Sequence, residues 1–266
     1  MNSFQSARRV VIKVGTSTLT YETGRANIRR MEEFVKVLAD LHNAGREIIL
    51  VTSGAISVGA GKMGLRERPC DVPGRQAAAA VGQCELMQLY DTQFQRYNHV
   101  VGQLLLTKDV VDDDLLRRNA INTLHRLLEH GAIPIINEND TVATDELEGE
   151  CFGDNDTLSA MVAELVEADV LVILSDIEGL YDGNPRTNLD ARLIARVDRI
   201  DEYIESVASG TGSNRGTGGM STKIQAARIV ERCGIDMAII SGEKPERLYD
   251  LFDGEAVGTH FAFRRI

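Results

Sequence analysis

Long apolar runs are missing from these 266 residues. The longest purely apolar stretches are as short as "VLVIL", Val170 to Leu174, far below the roughly 20 residues a membrane-spanning helix needs. The opening stretch, "MNSFQSARRVVIKVG", lacks an apolar core long enough for a signal peptide. Paired cysteines are missing too. Cys70, Cys84, Cys151 and Cys233 lie far apart and form no CxxC, so they read as reduced cytosolic thiols and argue against a structural zinc. A basic excess is also absent: 29 Lys and Arg face 40 Asp and Glu, for a net charge of -11. That balance disfavours a nucleic-acid-binding module, which needs a cationic face. No repeat and no low-complexity linker interrupts the chain. What is present is 43% apolar content, ample for a core in a chain expected to be cytoplasmic and free of any membrane partner.

Short β-branched runs alternate with helical patterns. Residues 8–15, 47–54, 100–107, 132–137, 169–176 and 236–241 read as strands. Residues 27–45, 73–97 and 221–234, with stretches near 113–130 and 156–167, read as helices. In the first of these helices Met31, Phe34, Val35, Leu38 and Leu41 share one face, and Gly45 marks the stop. Pro73 stands near the start of the second. Strands apolar on both faces, alternating with helices, predict one compact α/β domain. Its sheet is mostly parallel and covered by helices on each side. In such sheets function gathers in the loops at the carboxyl ends of strands. Here those loops read "KVGTSTL", "TSGAISVGAG", "NENDTVATDELEGECFGDND", "SDIEGLYDGNPR" and "SGEKP".

Lys13 lies in an otherwise apolar strand just before Gly15. Alone, a strand-end lysine reaching water explains it as well as a phosphate ligand does. Gly15, Thr16, Ser17 and Thr18 strengthen the phosphate reading, because glycine admits a close backbone approach and hydroxyls donate to anionic oxygens. "VTSGAISVGAG" (51–61) repeats that grammar at a helix start, as an ordinary strand-to-helix turn also does. Residues 127–185 contain no Lys or Arg and 15 Asp plus Glu. Within them Glu146, Glu148 and Glu150 read as a solvated face. "NEND" (137–140) and "GDND" (153–156) differ, placing short acids beside amides directly after a strand and directly before a helix. They suit the α-amino group of a zwitterionic ligand, a metal, or the orientation of a lysine; Asp154 or Asn155 also suits a helix cap.

"RGTGGMSTK" (215–223) resembles a phosphate loop but fails both common fingerprints. No glycine directly precedes Lys223 and no strand precedes the loop, as Walker A requires; Ser221 stands where GxGxxG needs glycine. A glycine-rich loop meeting a helix N-terminus with a lysine in its first turn remains. That chemistry suits a polyphosphate, and the bland alternative is a linker capped by Ser221. Two lysines on separate loops with acids between them point to phosphoryl transfer, which is mostly positioning and charge neutralisation. Mg²⁺ is expected to arrive on the nucleotide phosphates, with no direct protein ligand predicted.

Taken in order, "VIKVGTSTL", "VTSGAISVG", "NENDTV", "GDNDTLSA", "GLYDGNPR", "GTGGMSTKIQAA" and "VGTHF" span about residues 8 to 261 and resemble the glutamate 5-kinase family of the amino acid kinase superfamily. The resemblance implies a three-layer αβα sandwich with a mainly parallel central sheet. It implies one amino acid kinase domain over 1–266, without the C-terminal PUA domain that many members carry. It implies transfer of phosphate from ATP to the γ-carboxylate of L-glutamate, the first step of proline synthesis. By match of motif, Lys13 contacts the ATP phosphates and the transferred group, and Lys223 stabilises the transition state. Asp154 and Asp156 organise the two lysines. Ser53, Asp140 and Asn155 bind glutamate. Ser175, Asp176, Thr217, Gly218, Gly219, Met220, Ser221, Thr222 and Lys223 bind ATP. Proline is implied as a feedback inhibitor, and a homo-oligomer, dimer or tetramer, as the assembly. There are departures: "TDELEGECF" (144–152) is longer and more acidic than usual, and Ser175 replaces a common threonine. A sibling kinase acting on N-acetylglutamate, aspartate, carbamate or a nucleoside monophosphate is the alternative, with a non-catalytic sensor on the same fold behind it.

Overall fold

The computed structural model describes residues 3–21, 23–107, 109–142, 155–188, 190–209 and 219–263. Its strands are β1 (Arg9–Val14), β2 (Glu47–Val51), β3 (Val101–Leu106), β4 (Ile133–Glu138), β5 (Val170–Ser175), β6 (Arg196–Val197), β7 (Asp236–Ser241) and β8 (Thr259–Phe261). The helices are α1 (Ser3–Ser6), α2 (Thr16–Leu19), α3 (Ile28–Asn43), α4 (Ala55–Lys62), α5 (Val72–Gln95) and α6 (Asp109–Asp112). They continue with α7 (Asp114–Glu129), α8 (Asn155–Leu165), α9 (Glu202–Ser209), α10 (Met220–Cys233) and α11 (Arg247–Asp253). The strands make an eight-stranded, mainly parallel sheet, as the alternation of apolar runs and helices predicts. No described helix is long and apolar enough to cross a membrane.

Two compact units divide the chain: Val14–Gly153, and Met1–Lys13 with Asp154–Ile266. In the first, the strands run in the order β3-β4-β2. β4 pairs in parallel with β3 (Val101↔Ile133) and with β2 (Leu50↔Ile135). The starts of α5 and α7 rest on side-chain caps. Asp71 accepts from Gly74 N ahead of α5, with Pro73 in the first turn, and Asp113 accepts from Leu115 N and Leu116 N ahead of α7. α3 ends as the sequence predicts, with Gly45 at φ +95 just past it. α4 and α5 pack with unusual intimacy. A Cβ added to Gly59 would stand 1.8 Å from the Ala78 carbonyl oxygen, and one added to Gly82 would stand 1.7 Å from that of Ala55. Ala55, Ile56, Val58, Ala78, Ala79 and Leu86 fill the remaining contact. Only hydrogen fits at the two glycines, so backbone meets backbone there.

In the second unit the order is β1-β5-β7-β8-β6. β5 and β7 pair in parallel from Val170↔Asp236 to Ser175↔Ser241, and both are apolar and buried along most of their length. β8 runs antiparallel to β7, and β6 parallel to β8. α8 and α10 pack on each other. Gly234, at φ +67, closes α10. The elements that the apolar pattern does not announce are α1, α2, α6, α9, α11, β6 and β8. Each is too short for a period to develop.

Candidate active site

β1 is buried from Val10 to Val14, and Lys13 is one of those residues. A lysine there needs an anion, since a buried unpaired charge is costly. Asp156, in the first turn of α8, supplies it. Its Oδ1 lies 2.6 Å from Lys13 Nζ, while its Oδ2 accepts a hydrogen bond from Lys223 Nζ at 3.0 Å. The carboxylate is fully buried, and the two lysine side chains are 9% and 7% exposed. Burial by itself would raise the Asp156 carboxyl. The charges of Lys13 and Lys223, with their hydrogen bonds, outweigh it and lower the carboxyl to about 2. One buried anion therefore holds two cations, and the assembly keeps a net positive charge.

Thr222 joins this centre. Its hydroxyl lies 2.8 Å from the Gly219 carbonyl and 3.1 Å from Asp156 Oδ2. One hydroxyl has one proton, so it donates to one acceptor at a time and links the start of α10 to the carboxylate. Gly219 caps α10 without a side-chain bond, and Ser221 lies exposed inside the first turn. The cap is therefore Gly219, not Ser221. Gly219 has no side chain with which to cap the first N–H groups of α10, and a helix N-terminus suits an anion. Two ammonium groups beside a helix N-terminus fit a polyphosphate. Among the described residues no group of three or more His, Cys, Asp or Glu gathers as a metal cage; the ammonium and N–H donors fit the phosphates themselves.

At the carboxyl end of β5, Ser175 is buried and its hydroxyl donates to Asp176 Oδ1 at 3.3 Å. Asp176 also accepts from Arg186 at 2.7 Å. Arg186 was not singled out from the sequence, although it lies in the same loop motif as Asp176. Asn155 is half-buried as the first residue of α8.

Ser53 and Asp140 belong to the other unit, where they follow two paired strands. Thr52 N still donates to Ile136 O at 2.9 Å, which extends the pairing of β2 with β4 by one bond. The Ser53 hydroxyl then donates to Val14 O at 2.9 Å, and Gly54, at φ +99, turns the chain into α4. This is why β2 stops at Val51 and does not reach the expected Gly54. A Cβ on Gly54 would meet the Thr16 side chain at 3.3 Å, so the "VGT" and "TSG" loops touch. Asp140 is half-buried just beyond β4. Asp154, Thr217 and Gly218 lie outside the described residues, as does the whole acidic 144–152 segment.

The amino acid kinase family model matches residues 8–241. A glutamate 5-kinase of Clostridium perfringens is 50% identical over 264 residues, covering 99% of this chain and 98% of its own. The like-named protein of Listeria innocua is 50% identical over 264 residues, covering 99% and 96%. That of Clostridium tetani is 51% identical over 257 residues, covering 97% and 95%. Among solved structures, the UMP kinase of Bacillus anthracis matches with a TM-score of 0.66 at 16% identity, over 97% of each chain. The T. acidophilum isopentenyl phosphate kinase product complex matches with a TM-score of 0.61 at 18% identity, over 95% of this chain and 99% of that one. At such identities the structural likeness speaks for the fold alone.

Proposed function

This chain belongs to the amino acid kinase family, and on that premise we propose that it phosphorylates the γ-carboxylate of L-glutamate with ATP. A carboxylate oxygen attacks the γ-phosphorus, the bond from that phosphorus to the β–γ bridging oxygen breaks, and ADP leaves. The product is L-glutamyl 5-phosphate, and the step is the first of proline biosynthesis. The observation that carries this reading is the buried Lys13–Asp156–Lys223 assembly beside the start of α10.

Donor and acceptor are both anionic, so the chief barrier the protein must lower is electrostatic. Lys13 and Lys223 supply fixed positive charge to the phosphoryl oxygens. Asp156 holds the two ammonium groups in place at little conformational cost when substrate arrives. Met220 to Lys223 offer backbone donors to the phosphates, together with Thr217, Gly218 and Gly219. Mg²⁺ would arrive on the nucleotide phosphates and would neutralise part of their charge. Ser175 and Asp176 hold the nucleotide elsewhere. Ser53, Asp140 and Asn155 receive glutamate, with Asp140 answering the free α-ammonium group. Asp154 assists in orienting the lysines.

The test is ADP formation with Mg²⁺ and ATP across L-glutamate, N-acetylglutamate, aspartate, carbamate and UMP. Glutamate-dependent turnover, with an acyl phosphate trapped by hydroxylamine, is the expected result. Turnover of another acceptor without glutamate activity would sink the assignment. Residues 1–266 act, on this reading, as one amino acid kinase domain in the cytoplasm, in a homo-oligomer of two or four chains. It engages neither nucleic acid nor membrane. Proline acts as feedback inhibitor; a proline titration of the same assay and light scattering of the purified protein check these points.

A further inference from the structure

Tyr90 lies on the buried face of α5 and is wholly inaccessible. Its ring stacks on Phe94, with centroids 6.4 Å apart and planes at 29°. A phenylalanine would satisfy packing of that kind. The hydroxyl is therefore the feature to explain, because burying one costs free energy unless it is bonded. Its bond is to Thr52 Oγ1, 2.8 Å away and itself buried. Burial pushes the Tyr90 hydroxyl above its ordinary range, so it stays protonated, and either hydroxyl of the pair can donate. Thr52 Oγ1 also lies 3.5 Å from the Ser53 carbonyl, to which it donates when Tyr90 donates to it. Thr52 is thus held on two sides, by Tyr90 at its side chain and by Ile136 O at its backbone. The next residue is Ser53, and Gly54 turns immediately after it.

Two helical turns earlier on α5, buried Gln83 donates to the Glu138 carbonyl at 3.3 Å. Glu138 ends β4, two residues before Asp140. One helix face therefore touches both loops that carry candidate glutamate ligands of this unit, at the residue just before Ser53 and near Asp140.

We propose that α5 is the positioning element of the glutamate site, and that the Tyr90 hydroxyl, through Thr52, sets the placement of Ser53. This rests on the assignment of Ser53 to glutamate made above. Tyr90 is a positioning residue, not a catalytic one: it touches neither substrate nor the reacting atoms in this reading.

Tyr90→Phe removes one oxygen and keeps the ring. A neutral hydrogen bond of this kind is worth a factor of about five in an equilibrium. The KM for glutamate should therefore rise about five-fold, with kcat and the KM for ATP changed by less than about two-fold. Thr52→Val should do the same, the double variant should add little to either, and Thr52→Ser, which keeps the hydroxyl, should stay near wild type. A Tyr90→Phe enzyme with unchanged glutamate KM, or with both KM values raised equally, overturns the proposal. So does Thr52→Ser behaving like Thr52→Val. Wild-type enzyme with no glutamate-dependent turnover overturns the function assignment and this inference together. Glutamate-dependent turnover indifferent to Tyr90 and Thr52 overturns this inference alone.

Discussion

Replacing Asp156 by asparagine keeps the shape of the side chain and removes the one negative charge shared by Lys13 and Lys223. The cost can be approached from two directions. The carboxyl lies at about 2 in the folded protein against an ordinary 3.8. At about 1.4 kcal/mol per unit, its ionised form is favoured on folding by about 2–3 kcal/mol. Asparagine does worse than a protonated acid, because its amide NH₂ cannot accept from an ammonium group. Breaking a buried ion pair by removing one partner generally costs about 3–5 kcal/mol. Asp156→Asn should therefore destabilise the protein by about 3–5 kcal/mol. The chain has no tryptophan, so urea unfolding is best followed by far-ultraviolet circular dichroism. ATP should restore more stability to the variant than to the wild type, since its phosphates replace the missing anion. A loss below about 1 kcal/mol, with no added benefit from ATP, would refute the view that Asp156 neutralises the two lysines.

The same group fixes a pH dependence: its folded pKa is depressed, so its contribution is full above about 4 and is lost as pH falls toward about 2. The wild type should lose stability over that window more steeply than Asp156→Asn, as acid titrations of both by circular dichroism would reveal. Lys223→Ala should lower kcat by about 10²-fold or more if the ammonium meets charge that develops in the transition state; an unchanged kcat would remove it from the mechanism. Gly59→Ala or Gly82→Ala forces a methyl to within 2 Å of a backbone oxygen and should cost more than about 3 kcal/mol in thermal or urea unfolding. Gly45→Ala, with nothing within 4 Å and only an unfavourable positive φ, should cost about 1 kcal/mol.

Much of this protein was legible from the chain alone. The apolar runs of β2, β4, β5 and β7 announce buried parallel strands, because a strand covered on both faces has no polar side to show. The stop at Gly45 and the proline near the start of α5 act through local backbone geometry, which needs only neighbouring residues. The loops after β1, β2, β4 and β5 already carried the candidate ligands. Pattern could not tell Lys13 as a snorkelling lysine from Lys13 as a buried one. That question turns on whether α8 and α10 begin beside β1, which brings together residues 13, 156 and 223. The direction of β8 and the tie from Tyr90 to Thr52 were likewise beyond the sequence. A three-residue strand carries no period, and a tyrosine inside a helix looks the same whether its hydroxyl is wet or bonded. Composition and spacing determined the layers and the chemistry on offer. Tertiary packing decided which charges are buried together, because burial is a property of what surrounds a residue and not of the residue itself.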